Sequence, residues 1–197
     1  SMQSISFGRS ERIFESPAAR EALTDYTKKA IDFAAVLHCP NLVFGSPKNR
    51  SIADETQREA GLTMLAEIAD YADSKSTVFA VEPNPVIYNT NFINRTEEAF
   101  ALAREIGKKG LAVNVDIGTV IENGEDIGIL EDNFELIHHI HISEPFLAVP
   151  QKRKLHRELA AMLTANGYTR FVSIEMKNPG GIETVKQTME YISEVFK

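Results

Sequence analysis

The chain has 197 residues, the length of one domain at roughly 150 residues each, with some to spare. Hydrophobic residues make up 43% and charged residues 25%, which excludes a disordered chain and a collagen-like repeat, and no window approaches the roughly 18 apolar residues of a membrane span. Against 21 basic residues stand 28 acidic ones, a net charge of −7, which argues against nucleic acid as a partner because that role needs a basic face. The single cysteine, Cys39, cannot form an internal disulfide, and no charged-then-apolar leader opens the chain. A cytoplasmic, reducing location is the expectation.

In chain order, short β-branched or aromatic runs alternate with longer helical stretches. The predicted strands are Ser4–Phe7, Asn41–Phe44, Thr77–Val81, Leu111–Asp116, Ile137–Ile142 and Phe171–Glu175. Ser16 and Pro17 read as N-cap and first residue of a helix that carries Leu23, Tyr26, Ala30, Ile31, Ala34 and Leu37 on one face. Asp54 is placed to cap the next, with Leu62, Leu65, Ile68 and Ala69 inward. Thr96, followed by Glu97 and Glu98, is the expected cap of a third. Residues 126–135 form the weakest helical stretch. A helix begun near Gln151 closes at Asn166-Gly167, and the last starts near Gly181. Six β-then-α units in series predict a single domain, residues 1–197, with a parallel sheet and crossover helices. No G-x-G-x-x-G follows any strand, so an incomplete (β/α) barrel is favoured over an open doubly wound sheet.

Four successive strands end in a group that can bind a metal: Glu82 before Pro83-Asn84-Pro85, Asp116 before Ile117-Gly118, His141 before Ile142-Ser143-Glu144, and Glu175 before Met176. A carboxylate at a strand end is by itself more often a helix cap or half of an ion pair. In a parallel barrel, however, all four converge on one mouth, where three carboxylates repel one another unless a cation stands between them. Oxygen ligands with one imidazole suit Mn²⁺ first, with Mg²⁺, Co²⁺ and Zn²⁺ as alternatives.

These residues, with Phe44-Gly45-Ser46-Pro47-Lys48-Asn49-Arg50, Asn123-Gly124-Glu125-Asp126 and Ser173-Ile174-Glu175-Met176 in the same order, resemble the sugar phosphate isomerase/epimerase superfamily with its xylose isomerase-like TIM barrel. The resemblance implies that Glu82, Asp116, His141 and Glu175 hold one divalent metal. It also implies that Glu82 and Glu175 are the acid/base pair moving a proton through an enediolate of a sugar, sugar phosphate or keto-polyol. Around them, Lys48 and Arg50 suit a phosphate or a sugar carboxylate, or are ordinary solvated cations; Arg9 has the same two readings. Asn84 and Tyr88 suit sugar hydroxyls, and Tyr88 also suits loop packing. His156 matches a polar residue such families place after strand seven, and Glu144 is placed to orient His141. His138 and His139 read as structural, with alternation sending His138 to the face opposite His139 and His141.

Two positions depart from the ketose 3-epimerase pattern: Thr119 stands where a second His is usual, and Leu147 where an Arg is usual. Six strands, matched to the family's strands three to eight with Ser4–Phe7 as the third, leave two β/α units unaccounted for. Two open edges are then expected, and self-association into a homo-oligomer with them. The competing readings are a non-catalytic truncated barrel, a related keto-polyol dehydratase and an endonuclease IV-like nuclease. The last needs more histidines and a basic face.

Overall fold

A computed structural model describes residues 1–3 and 5–197. Five strands, β1 (Asn41–Phe44), β2 (Val78–Val81), β3 (Leu111–Asp116), β4 (Ile137–Ile142) and β5 (Val172–Ile174), form one parallel sheet in sequential order. Six helices alternate with them: α1 (Pro17–Val36), α2 (Arg58–Ser74), α3 (Thr96–Ile106), α4 (Ile117–Asn123), α5 (Lys154–Ala165) and α6 (Ile182–Val195).

The alternation within each strand separates two faces. Leu42, Phe44, Phe79, Val81, Leu111, Val113, Val115, Ile140 and Ile142 join the apolar core with the helices. The intervening residues, among them Asn114, Asp116, His139, His141 and Ser173, meet one another on the opposite face. The sheet is strongly curled about that polar face. His138 Nδ1 lies 3.0 Å from Asn41 Oδ1, although β4 and β1 are three strand spacings apart, or about 14 Å in a flat sheet. The result is an open part-barrel with a polar interior.

The sheet has five strands where six were expected, and the difference lies at the start of the chain. Ile5–Gly8 form a turn rather than a strand, and Ser4 lies outside the described residues. Met2 alone pairs with β1, as an isolated parallel bridge to Leu42. A second correction concerns His138. The β3–β4 register shifts between Val113 and Asn114, which pair with Ile137 and His139, so His138 is an extra residue. Such a bulge breaks simple alternation, and the His138 ring meets Asn41 on the interior side instead of facing away.

The helix signals hold in part. Ser16 Oγ accepts from Ala19 N at 3.2 Å, and Asp54 caps a 3₁₀ turn that leads into α2. Arg95, not Thr96, caps α3: the Glu98 carboxylate takes the N–H groups of Asn94 and Arg95, and Thr96 becomes the first helical residue. Helix α5 starts at Lys154 rather than near Gln151; ahead of it, Gln151 N and Arg153 N donate to Glu144 and Tyr191. Residues 127–136 form a 3₁₀ run kinked at Asn133. Among the described residues no helix is long and apolar enough to cross a membrane.

Candidate metal centre

The strand ends bring Glu82, Asp116, His141 and Glu175 together, with one potential ligand atom from each lying within 4.8 Å of all the others. The imidazole is the hub: His141 Nδ1 is 2.7 Å from Glu82 Oε1 and 3.4 Å from Glu175 Oε2. Asn114, one strand over, donates through Nδ2 to Glu82 Oε1 at 2.5 Å. Asp116 has a second duty as the N-cap of α4. Its Oδ1 accepts from Thr119 N at 2.7 Å and from Thr119 Oγ1 at 2.9 Å, and its Oδ2 accepts from the Ser143 hydroxyl. Ser143 in turn accepts from Gly118 N at 2.8 Å. Thr119, where a His was usual in the resembling pattern, is thus spent on holding Asp116.

The electrostatics fit a cation. Burial disfavours charge on His141, yet Glu82 and Glu175 push it up to about 10. Burial and the charges of Glu82 and Glu175 raise Asp116 to about 7, against the Ser143 hydrogen bond. Burial opposes ionisation of Glu82 too, but the charge and hydrogen bond of His141, with Arg50 behind, outweigh it and hold that carboxyl below the ordinary range. Protons therefore occupy the positive role among three crowded carboxyls. A divalent ion can take that role with the same atoms, and three oxygens with one nitrogen are a donor set for Mn²⁺-like ions.

The cluster opens on a cavity of about 490 Å³ whose lining includes Glu82, His141 and Glu175 together with Arg9, Ser46 and Lys48. Lys48 makes no ion pair among the described residues. Arg9 pairs with Glu11 and lies over the Tyr26 ring, 4.9 Å from its centroid, while its buried Nε has no partner.

The other expected residues lie outside this lining. Arg50 is 0% exposed and donates to the carbonyls of Glu82 at 2.5 Å and Ile93 at 3.5 Å, so it braces the strand end from behind and is closed to a ligand. Asn84 donates to Pro83 O at 3.0 Å and leaves a buried Oδ1 without a partner. The Tyr88 hydroxyl accepts from Phe146 N at 2.9 Å. Burial, with the charges of Asp116 and Glu175, raises the pKa of this hydroxyl above the ordinary tyrosine value, against the hydrogen bond from Phe146 N. Glu144 is clamped by Arg153, at 2.7 and 2.5 Å, and does not reach His141. His156 is buried between α5 and α6, with Nδ1 2.9 Å from the Tyr191 hydroxyl.

Sequence reasoning missed Gln3, Gly45, Asn114 and Ser143. Asn114 and Ser143 share strand parity with Asp116 and His141, so alternation carried the signal. Gly45 is required because a Cβ there would stand 2.0 Å from Glu82 Oε2. The amide of Gln3 lies 2.6 Å from His141 Nε2; its segment was read as the approach to a strand that does not form.

Residues 5–195 match the family model of the xylose isomerase-like TIM barrel. The chain belongs to this family. Several solved structures share the fold. D-psicose 3-epimerase from Clostridium cellulolyticum H10 superposes with a TM-score of 0.80 at 14% identity, over 95% of this chain and 75% of that one. The 3-keto-D-glucoside 4-epimerase YcjR from E. coli gives 0.78 at 16% identity, over 95% and 76%. An AP endonuclease, family 2, from Brucella melitensis gives 0.75 at 20% identity, over 91% and 72%. No curated protein matches the sequence. At these identities the likeness is one of fold, and chemistry must be argued from the site.

Proposed function

We propose that this chain is a divalent-metal-dependent isomerase or epimerase of a sugar, sugar phosphate or keto-polyol. The observation that carries the reading is the convergence of Glu82, Asp116, His141 and Glu175 within 4.8 Å of one another, three of them lining a cavity of about 490 Å³. These four residues would hold the ion. When bound, it supplies Lewis-acid polarisation of a substrate carbonyl and stabilises the negative charge that develops there.

The chain's own residues do the rest. Glu175 is the least buried of the four, with 26% of its side chain exposed. It takes the proton from the carbon beside the carbonyl and leaves an enediolate. Glu82, braced by Asn114 and Arg50, takes a proton from cavity water and delivers it to the opposite face of the enediolate, and Glu175 gives its own proton back to water to close the cycle. Positioned proton transfer of this kind contributes about 10²–10⁴-fold. Arg9 and Lys48 receive an oxyanion at the far end of the substrate. The fold of two sugar epimerases supports the reading but does not carry it.

The test is native mass spectrometry on protein prepared without chelator, beside Glu82→Gln and Glu175→Gln. One divalent ion per chain, lost or weakened in both variants, is expected. A screen of ketoses and ketose phosphates against the loaded protein follows. Protein that takes up no Mn²⁺, Co²⁺, Mg²⁺ or Zn²⁺ when each is supplied would falsify the proposal.

A further inference from the structure

The side chain least foreseen beside the candidate metal centre is Gln3. Its backbone is tied to the outer edge of β1: Met2 N donates to Asn41 O and Val43 N donates to Met2 O, both at 2.8 Å. From there the Gln3 side chain reaches across the open barrel, its amide nitrogen Nε2 lying 2.6 Å from His141 Nε2. The other ring nitrogen, Nδ1, faces Glu82 at 2.7 Å and Glu175 at 3.4 Å. His141 is therefore held at both nitrogens, and Nδ1 is the one turned toward Glu82 and Glu175.

That orientation fixes the bookkeeping of the ring. A neutral imidazole that offers the Nδ1 lone pair to a cation keeps its proton on Nε2. That proton needs an acceptor, and metal-binding histidines commonly give it to a carboxylate, a carbonyl or water. Among the described residues no carboxylate meets His141 Nε2. Glu144, placed by sequence to do so, is taken up by Arg153 and Gln151 N. The group at Nε2 is Gln3. The amide nitrogen placed there can donate only to a ring nitrogen without a proton; the two ends of the amide have the same shape, and a half-turn brings Oε1 to the proton that ligation through Nδ1 puts on Nε2.

We propose that Gln3 is a positioning residue: its Oε1 accepts the Nε2 proton of His141 and so fixes the tautomer and ring plane that present Nδ1 to the divalent cation. The inference rests on the metal-centre reading above. Gln3 is exposed to the cavity and contributes nothing to the apolar core, so it can be replaced without unfolding the chain.

The experiment measures Co²⁺ affinity by chelator competition and records the Co²⁺ absorption spectrum for wild type, Gln3→Leu and Gln3→Glu, with the melting temperature of each metal-free protein alongside. Glu keeps an acceptor at the same reach, whereas Leu keeps only the bulk. Gln3→Leu should weaken Co²⁺ binding by about 10–100-fold and alter the spectrum, with metal-free melting unchanged. Gln3→Glu should bind at least as tightly as wild type. Equal affinity and spectra for Gln3→Leu and wild type would overturn the inference and leave the metal centre standing. A Gln3→Glu protein as weak as Gln3→Leu would overturn the acceptor role. Wild-type protein that binds no Co²⁺ would overturn the metal centre itself, and the role of Gln3 with it.

Discussion

At the scale of single residues, the site depends as much on what is missing as on what is present. Gly45 has no Cβ, and the Glu82 carboxylate occupies the space where one would stand, 2.0 Å from Oε2. Gly45→Ala should push that carboxylate off His141 and Asn114. The clash is with the end of a flexible side chain, so stability should hardly change. A displacement of about 1 Å at a reacting group can cost about 10²-fold in rate, and metal affinity measured by competition should fall with it. A variant with wild-type affinity and turnover would mean that Glu82 has another working position. Arg50 gives the opposite pattern. Its guanidinium is fully buried on two backbone carbonyls and over the Phe44 ring, 5.9 Å from its centroid. Removing it strands both carbonyls and leaves Glu82 without its rear cation. Arg50→Met should cost about 2–4 kcal/mol of stability, read from urea unfolding of the metal-free protein. A loss below that of an exposed arginine such as Arg157 would refute the bracing role.

Protons compete with the metal for these same residues, which makes binding pH-dependent with a definite sign. In the metal-free protein His141 holds its proton below about 10 and Asp116 below about 7. Both must be lost when the ion enters, so affinity rises with pH. Between those values one proton is displaced and the affinity gains roughly tenfold per pH unit; below about 7 two are displaced and the gain is roughly a hundredfold per unit. Isothermal titration of Mn²⁺ in buffers of different ionisation enthalpy counts those protons directly. A flat profile from pH 6 to 8 would exclude His141 as a ligand.

At the scale of elements, hydrophobic alternation made most of the fold readable. In β3 the run Leu111-Ala112-Val113-Asn114-Val115-Asp116 declares both its period and its polar side in the sequence itself, and the four candidate ligand positions are where such runs stop. Three features were not readable for physical reasons. The bulge at His138 adds a residue with no glycine or proline to mark it, so a period of two misplaced one histidine. The segment at Ser4–Phe7 has the composition of a strand, but its residues from Ile5 to Gly8 turn, with Gly8 at φ +81°. Arg50 looked like a loop cation because burial of a guanidinium depends on carbonyls 32 and 43 residues away. Packing between elements leaves a further mark at Gly110, where a Cβ would lie 1.9 Å from Ala69 O in α2. Backbone cannot yield as a side-chain tip can, so Gly110→Ala should force α2 away from β3 and destabilise the chain by about 1–3 kcal/mol, the usual range for overpacking. Thermal melting against the wild type checks this, and an unchanged midpoint would show that the α2–β3 contact is loose.

For the whole molecule, the decisive fact is that the sheet is open while the four candidate ligands span it. The inner strands β2, β3 and β4 each have a neighbour on both sides, whereas β5 pairs only with β4 and its three residues are all half-buried. Glu175, just beyond β5, is joined to the rest by its N–H to Ile142 O and by its carboxylate near His141. An ion held by all four residues would tie this least secured strand to β2 and β3 across the mouth. Binding to the folded state alone adds about 2.7 kcal/mol at a concentration a hundredfold above the dissociation constant, and for a chain of this size that corresponds to a rise of roughly 5–10 °C in melting temperature. The gain should not be spread evenly. Local openings of β5 are the motions the ion suppresses, so amide exchange across residues 172–175 should slow on adding Mn²⁺, while β3, already buried on both faces, should show little change. Glu175→Gln should abolish the slowing at β5. Uniform slowing throughout the sheet would instead mean that the ion acts on global unfolding alone, and that β5 is secured by contacts other than its ligand.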